Sequence, residues 1–232
     1  MHTMVQPVRL FYFSPIFRYE RPQSGRYRQH HQFGVEALGS EDPIIDAEII
    51  ELARSFLNRL GLYDTTLFVN SIGCPTCRVP YGKILREYYQ AKLDTMCQDC
   101  QSRYSRAPLR LLDCKKPTCQ PLALDAPHTI DHLCSDCSQH WEQLLNYLSA
   151  INIPFEIRHS IVRGIDYYTK TVFEFQPNNE AGSQTTILAG GRYDGLISQI
   201  GGPSTPAIGF GSGIERLVMN IQALQTLSLI HI

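Results

Sequence analysis

All eight cysteines of this 232-residue chain lie between Cys74 and Cys137, as four close pairs: Cys74-x2-Cys77, Cys97-x2-Cys100, Cys114-x4-Cys119 and Cys134-x2-Cys137. A close pair turns two sulfurs toward one point, and two such pairs make the tetrahedral four-thiolate site typical of structural zinc. The first two pairs are nineteen residues apart, inside the window expected for one such site. Spacing alone leaves open which pairs share an ion, since Cys74/Cys77 could equally meet Cys134/Cys137. It also leaves open thiols buried as small hydrophobes, or a site that has lost its ion. Zinc held only by cysteines, with no open position, is expected to be structural. The window is therefore expected to be a small inserted domain, 73–141, which splits a larger one into 1–72 and 142–225 and leaves 226–232 unassigned.

The larger part has the material for a core. Hydrophobic residues make up 43% of the chain, and 21 basic against 22 acidic side chains give a net charge of −1. That balance neither attracts nor repels nucleic acid in bulk, so any RNA contact must be local or made by a part outside this chain. No apolar run reaches membrane-spanning length, and the opening MHTMVQPVRL lacks the pattern of a secretory signal, so the expected setting is the cytoplasm without a membrane partner.

Val8 to Phe13 reads as a strand, and Phe17 to Glu20 and Tyr27 to Val35 as a hairpin turning at Pro22, Ser24 and Gly25. Asp42 and Pro43 suit an N-cap and first helical position, and Ile45, Ile49, Leu52, Ala53, Phe56 and Leu60 recur at helical spacing up to Gly61. Thr65 to Ser71 reads as a buried strand. Asp131 to Ile151 resumes helical periodicity until Pro154, Thr171 to Phe175 reads as a strand, and Thr185 to Ala189 as its partner. The run Ala189 to Gly195 (AGGRYDG) reads as a glycine-dense turn leading into a short helix. Ala207 to Gly213 (AIGFGSG) places glycine at alternate positions, where something bulky can lie against the backbone, before a helix carrying Arg216 in its first turn.

The polar residues concentrate in a few places. Arg18, Arg21, Arg26 and Arg28 stand close together, interleaved with Glu20, His30, His31 and Gln32 and followed by Glu36. Guanidinium forks suit phosphate oxygens, although charge alone fits a solvated hairpin equally well. A second cluster places Arg163-Gly164 before Asp166, Tyr167 and Tyr168. In a strand-like reading the two tyrosines point to opposite sides, one into a pocket and one into packing.

Taken together, FRYERPQ with GRYRQ and a downstream Gln-x3-Glu, then RGIDYYTKTVFEF, AGGRYDG and GFGSGIERL, resemble the bacterial histidyl-tRNA synthetases, a family of class II aminoacyl-tRNA synthetases. The resemblance runs from about Val8 to about Met219. Arg18 to Glu36 looks like the second class II motif, Gly209 to Leu217 like the third, and Arg163 to Tyr168 like the histidine-selecting segment. It implies an α+β fold, an antiparallel sheet flanked by helices, with the cysteine-rich insertion reaching toward the tRNA acceptor arm. It also implies ATP with Mg2+, L-histidine and tRNA(His) as reaction partners, and a homodimer.

The resemblance further implies roles. Arg18 and Arg163 would be catalytic, holding the α-phosphate and the histidine carboxylate, with Arg163 doing what a metal ion does elsewhere. Arg26 and Arg216 would clamp the outer phosphates, with Glu20 at the adenine edge and His30 in place of the aromatic residue that usually stacks on adenine. Gln32 would orient the amino acid, Glu36 and Tyr168 would bond the two imidazole nitrogens, and Tyr167, Tyr193 and the turn at Gly190 would line the pocket. The first class II motif, the Pro-Glu-Gly-Thr stretch and the anticodon-binding domain are not found in the sequence, so the chain is expected to be an internal fragment, dimer-defective and weakly active. The rival readings are a non-catalytic, synthetase-like regulatory subunit of ATP phosphoribosyltransferase, and a zinc-ribbon nucleic-acid module.

Overall fold

A computed structural model describes residues 4–19, 27–162, 167–178 and 186–224. Strands β1 (Val8–Phe17) and β2 (Gln29–Leu38) precede helix α1 (Pro43–Arg59) and strand β3 (Thr65–Ser71). The helices α2 (Pro75–Gln90), α3 (Gln98–Arg106), α4 (Gln120–Leu124) and α5 (Ser135–Ala150) then follow without a strand. The chain closes with β4 (Glu156–Ile157), β5 (Thr169–Pro177), β6 (Leu188–Arg192), α6 (Leu196–Gln199), β7 (Ala207–Gly213) and α7 (Ile214–Ala223). The seven strands form one sheet in the order β1-β2-β7-β6-β5-β3-β4, antiparallel at every pairing except β3 with β4. This is the expected α+β fold, and no helix among the described residues is long and apolar enough to cross a membrane.

Alternation along the strands gives the sheet two different faces. Phe33, Val35 and Ala37 of β2, Leu67 and Val69 of β3, Phe173 and Phe175 of β5, and Ile208 and Phe210 of β7 pack with α1, α5 and α7 in one core. The intervening residues, His30, Gln32 and Glu36 among them, point to the other face, which carries the candidate site and meets the α2 to α4 segment. α1 begins as expected, with Asp42 as N-cap accepting from the Ile44 amide and Pro43 in the first turn. Its buried stripe is Ile45, Ala47, Ile49, Ile50, Ala53 and Leu57 together with Asp46, while Leu52 faces outward at 45% exposure.

Several local expectations are corrected. β1 is one ten-residue strand that carries Ser14 and Pro15 on the outer edge of the sheet, where a residue without an N–H leaves no ladder bond unmade. The helix expected over Asp131 to Ile151 begins only at Ser135, after a short 3-10 turn at Thr129–His132. Ala189 to Arg192 are not a turn but four residues of β6, buried in mid-sheet. Glycine there answers to neighbours on both faces: a side chain at Gly190 would meet the Phe173 ring and the Gly209 carbonyl, and one at Gly191 the Tyr168 ring.

Candidate active site

Two adjoining cavities open on the polar face of the sheet. The first, about 440 Å³, is lined by Tyr12, Gln32, Glu36, Tyr167, Tyr168 and Tyr193 over a floor at Gly209 and Gly211. The second, about 380 Å³, is lined by Arg18, His30, Arg158, Glu174, Glu215 and Arg216. Gln32, Ala189 and Gly211 belong to both walls, so the cavities are two chambers of one cleft.

β7 makes the floor. Its alternate glycines face the site, and a Cβ at Gly209 would overlap the Glu36 carboxylate, while one at Gly211 would collide with the Gln32 amide. The bulky groups that the glycines admit are thus the chain's own Gln32 and Glu36, laid across the neighbouring strand. The Gln32 amide donates to the Tyr12 hydroxyl at 2.6 Å, and the Tyr193 hydroxyl donates a short bond to Glu36.

Burial raises the pKa of Glu36, an effect the Tyr193 hydroxyl partly offsets. Burial, then the facing carboxylate, also raises Tyr193, which therefore stays a hydrogen-bond donor. Tyr167 and Tyr168 do not point to opposite sides. Both line this chamber, with ring centroids 5.2 Å apart, because they precede the first residue of β5 and the pleat does not govern them. The tyrosine bonded to Glu36 is Tyr193, and Tyr168 stands 6.5 Å from it, ring to ring.

The second chamber is basic. Arg18 lies just beyond β1, where its backbone amide bonds the Arg28 carbonyl at 2.8 Å and its Nε the Tyr27 carbonyl at 2.6 Å. Arg216, in the first turn of α7, donates to the Thr186 carbonyl from the far wall. His30 lies between them. Burial and then the charge of Arg18 lower its pKa, so it presents a neutral imidazole. Of the remaining site residues, Glu20, Arg26 and Arg163 lie outside the described residues.

Sequence reasoning missed three parts of the cleft. Arg158 follows the two-residue strand β4, stacks on the Phe68 ring and donates to Gln176 at 2.8 Å; burial lowers its pKa, and nothing in its local sequence marks it. Glu215 accepts from the His31 amide at 2.9 Å and contacts the His31 ring at 3.0 Å, tying α7 to β2. Its burial is outweighed by these contacts, leaving the carboxyl below its ordinary range. Asp113 and Lys115, flanking Cys114, reach the second chamber from the cysteine-rich segment.

Behind the sheet lies a buried ionic group that the sequence also hid. Arg192 bonds Asp46 through two nitrogens, Asp194 at 3.0 Å and the Ser40 carbonyl at 2.9 Å, while Asp46 also takes bonds from Thr171 at 2.6 Å and His140 at 2.8 Å. Burial opposes the charge on Asp46, but Arg192 and His140 together outweigh it and hold the carboxyl below its usual value. The group pins β6 and β5 to α1 and α5 directly beneath the cleft.

The cysteines form two sets, each with its four sulfurs within 4.8 Å of one another: Cys74, Cys77, Cys134 and Cys137, and Cys97, Cys100, Cys114 and Cys119. The first pair thus meets the last and the second meets the third, and the arrangement of the first two pairs around one point is not what forms. All eight are free thiols.

An antiparallel sheet whose polar face carries an arginine-lined chamber beside a tyrosine-lined pocket is the architecture of the class II aminoacyl-tRNA synthetases. The family pattern described as "Histidyl-tRNA synthetase" matches residues 1–76 and 83–217. Proteins named "Histidine--tRNA ligase" from Dehalococcoides mccartyi strain BAV1 and from Clostridioides difficile strain 630 are 53% and 51% identical to it over 222 and 223 residues, 96% of this chain and 53% of each relative. The crystal structure of apo Staphylococcus aureus histidyl-tRNA synthetase superposes with a TM-score of 0.75 at 36% identity, over 98% of this chain and 54% of that one. A Bacillus halodurans structure titled as an ATP phosphoribosyltransferase regulatory subunit/histidyl-tRNA synthetase shares the fold, at 22% identity and a TM-score of 0.64. The chain belongs to the histidyl-tRNA synthetase family, and it spans about half the length of the curated relatives it matches.

Proposed function

We propose that the cleft activates L-histidine with ATP and that the histidyl group then passes to tRNA(His). The observation that carries this reading is the adjacency of the two chambers. A carboxylate among tyrosines suits an imidazole, an arginine-lined cavity suits a triphosphate, and the two adjoin where a carboxylate could meet an α-phosphate.

Histidine occupies the tyrosine-lined chamber around Glu36. Glu36 and a tyrosine hydroxyl bond its two ring nitrogens, and an amino acid without them would leave those buried groups unpaired. Tyr193 joins Tyr168 as a candidate for that hydroxyl, since it already bonds Glu36. Gln32, at the junction, orients the amino acid. The histidine carboxylate attacks the α-phosphate and the pyrophosphate leaves. Arg18 contacts the phosphoryl oxygens on which charge grows, and Arg163 approaches from another side. Arg216 and Arg26 hold the outer phosphates, Glu20 the adenine edge, and the neutral ring of His30 stacks on the base. Glu174 and Glu215 line the nucleotide chamber and supply hard oxygen donors, which fit a Mg2+ ion carried in by the triphosphate; the ion would neutralise charge on the outer phosphates. In the second step a terminal ribose hydroxyl of tRNA(His) attacks the carbonyl of the histidyl-adenylate, forming the ester to the tRNA as the acyl–phosphate bond breaks and AMP leaves. The exposed Phe11, Phe13 and Phe17 of edge strand β1 suit the contact of a homodimer.

Histidine-dependent exchange of labelled pyrophosphate into ATP tests the reading. Exchange that needs histidine and is not replaced by other amino acids is expected; histidine binding with no exchange under any nucleotide condition would instead give the regulatory-subunit reading.

A further inference from the structure

We propose that the chain holds two structural zinc ions in nested sites, a root site of Cys74, Cys77, Cys134 and Cys137 and a distal site of Cys97, Cys100, Cys114 and Cys119, and that the root ion braces the wall of the tyrosine-lined chamber. Four thiolates around one zinc at about 2.3 Å stand about 3.8 Å apart along each edge of the tetrahedron. The sulfur separations are 3.6 Å for Cys74 to Cys77, 3.9 Å for Cys74 to Cys134 and 3.8 Å for Cys97 to Cys114. Disulfide sulfurs stand about 2.05 Å apart, far closer than these.

The backbone is arranged for thiolates as well. Cys74, Cys97 and Cys134 are the N-caps of α2, α3 and α5, so the positive ends of three helix dipoles face the two sets. In the root site the Cys134 amide donates to the Cys77 sulfur at 3.1 Å, and in the distal site the Cys97 amide donates to the Cys119 sulfur at 3.3 Å. Gly73, at a φ of +65°, makes the sharp entry to the root site, where a Cβ would strike the Cys77 side chain.

The root site sits where the chain leaves the sheet after β3 and returns to it at α5. One residue beyond Cys77, Arg78 donates to the Tyr168 carbonyl at 2.7 Å, and the Lys170 amide donates to the Gly73 carbonyl at 2.9 Å. An ion there fixes the start of α2, and α2 fixes the backbone of Tyr168. The distal site encloses only the outer part of the segment, with Cys114 between the two residues that reach the nucleotide chamber. The catalytic meaning of the brace rests on the synthetase reading; the ions and their pairing do not.

The test is elemental analysis of the freshly purified chain for zinc and iron. Two zinc per chain are expected, and any single cysteine pair changed to serine should leave one. The pairing is read from double-pair variants. Changing 74, 77, 134 and 137 together should leave one ion, and changing 74, 77, 97 and 100 should leave none; the opposite result would overturn the nesting. Because a variant can misfold, the unaltered apo chain is also titrated with cobalt(II). Two equivalents bound with the strong visible bands of tetrahedral thiolate are expected. One equivalent or none, iron in place of zinc, or thiols found as disulfides in the fresh protein would overturn the proposal. Amide hydrogen exchange over 167–172 should quicken roughly tenfold on loss of the root cysteines and stay unchanged on loss of the distal ones. Equal exchange in both would remove the brace.

Discussion

Beneath the cleft, the fully buried side chains are those of an ordinary sheet core, Val69, Phe173, Ile49, Leu57, Leu144 and Ile208, on strands and helices long enough to present them in rows. Between α2 and α5 the buried positions are instead Tyr81, Tyr89, Cys100, Cys119, Leu85 and Leu111, on helices of which two have only nine and five residues. Such helices are unstable alone. There the tyrosine hydroxyls close onto backbone carbonyls, Tyr81 on Pro127 at 2.7 Å, Tyr88 on Leu122 at 3.0 Å and Tyr104 on Arg86 at 3.1 Å, and the thiols gather in fours. The sheet draws its stability from area and one buried ion pair, whereas the segment depends on point contacts. Loss of a point contact should therefore stay local in the segment and spread in the sheet.

The largest effect is expected at Asp46. Asp46→Asn removes the fully buried counter-charge of Arg192, leaving it the more exposed Asp194, and should cost about 3–5 kcal/mol of global stability by denaturant unfolding. The folded-state pKa of Asp46 lies below its unfolded value, so its contribution is complete above the ordinary carboxylate range and fades as pH falls through the depressed value. The wild type should thus lose stability in acid more steeply than Asp46→Asn. Next, Arg18→Ala should lower histidine-dependent pyrophosphate exchange by about 10²–10³-fold with little change in unfolding midpoint, since the lost contact is made to charge in the transition state. Smaller still, Lys115→Ala should raise the KM for ATP about two- to fivefold and leave the KM for histidine alone, as suits one exposed cation at the rim of one chamber. Tyr88→Phe should cost under about 1 kcal/mol, seen as faster hydrogen exchange near Leu122 but not in α1, because Tyr89 also reaches that carbonyl.

What the sequence disclosed follows the same division. α1 and β3 were legible because capping residues and apolar periodicity are local signals; Gln32 and Glu36 were singled out only through the family motif, and both lie on one pleated face of β2 that faces the tyrosine-lined chamber. Arg192 was read as part of a turn because two glycines precede it; those glycines instead admit Phe173 and Tyr168 from across the sheet, a tertiary cause that local sequence does not carry. Asp46 carries no local signal, because its partner Arg192 lies 146 positions away. Arg158 and Glu215 entered the cleft through contacts distant in sequence. The cysteine spacing pointed to a four-thiolate site but not to which pairs meet, which is decided by the return of α5 beside the end of β3.

The proposed function gives separate duties to two chambers that meet at Gln32. Calorimetric titration of the chain with histidine and with ATP in Mg2+, repeated on Glu36→Ala and Arg216→Ala, tests it most directly. One site for each ligand is expected, with Glu36→Ala losing histidine and keeping ATP, and Arg216→Ala weakening ATP and keeping histidine. Histidine binding without ATP binding, or a single variant abolishing both in a folded protein, would contradict it.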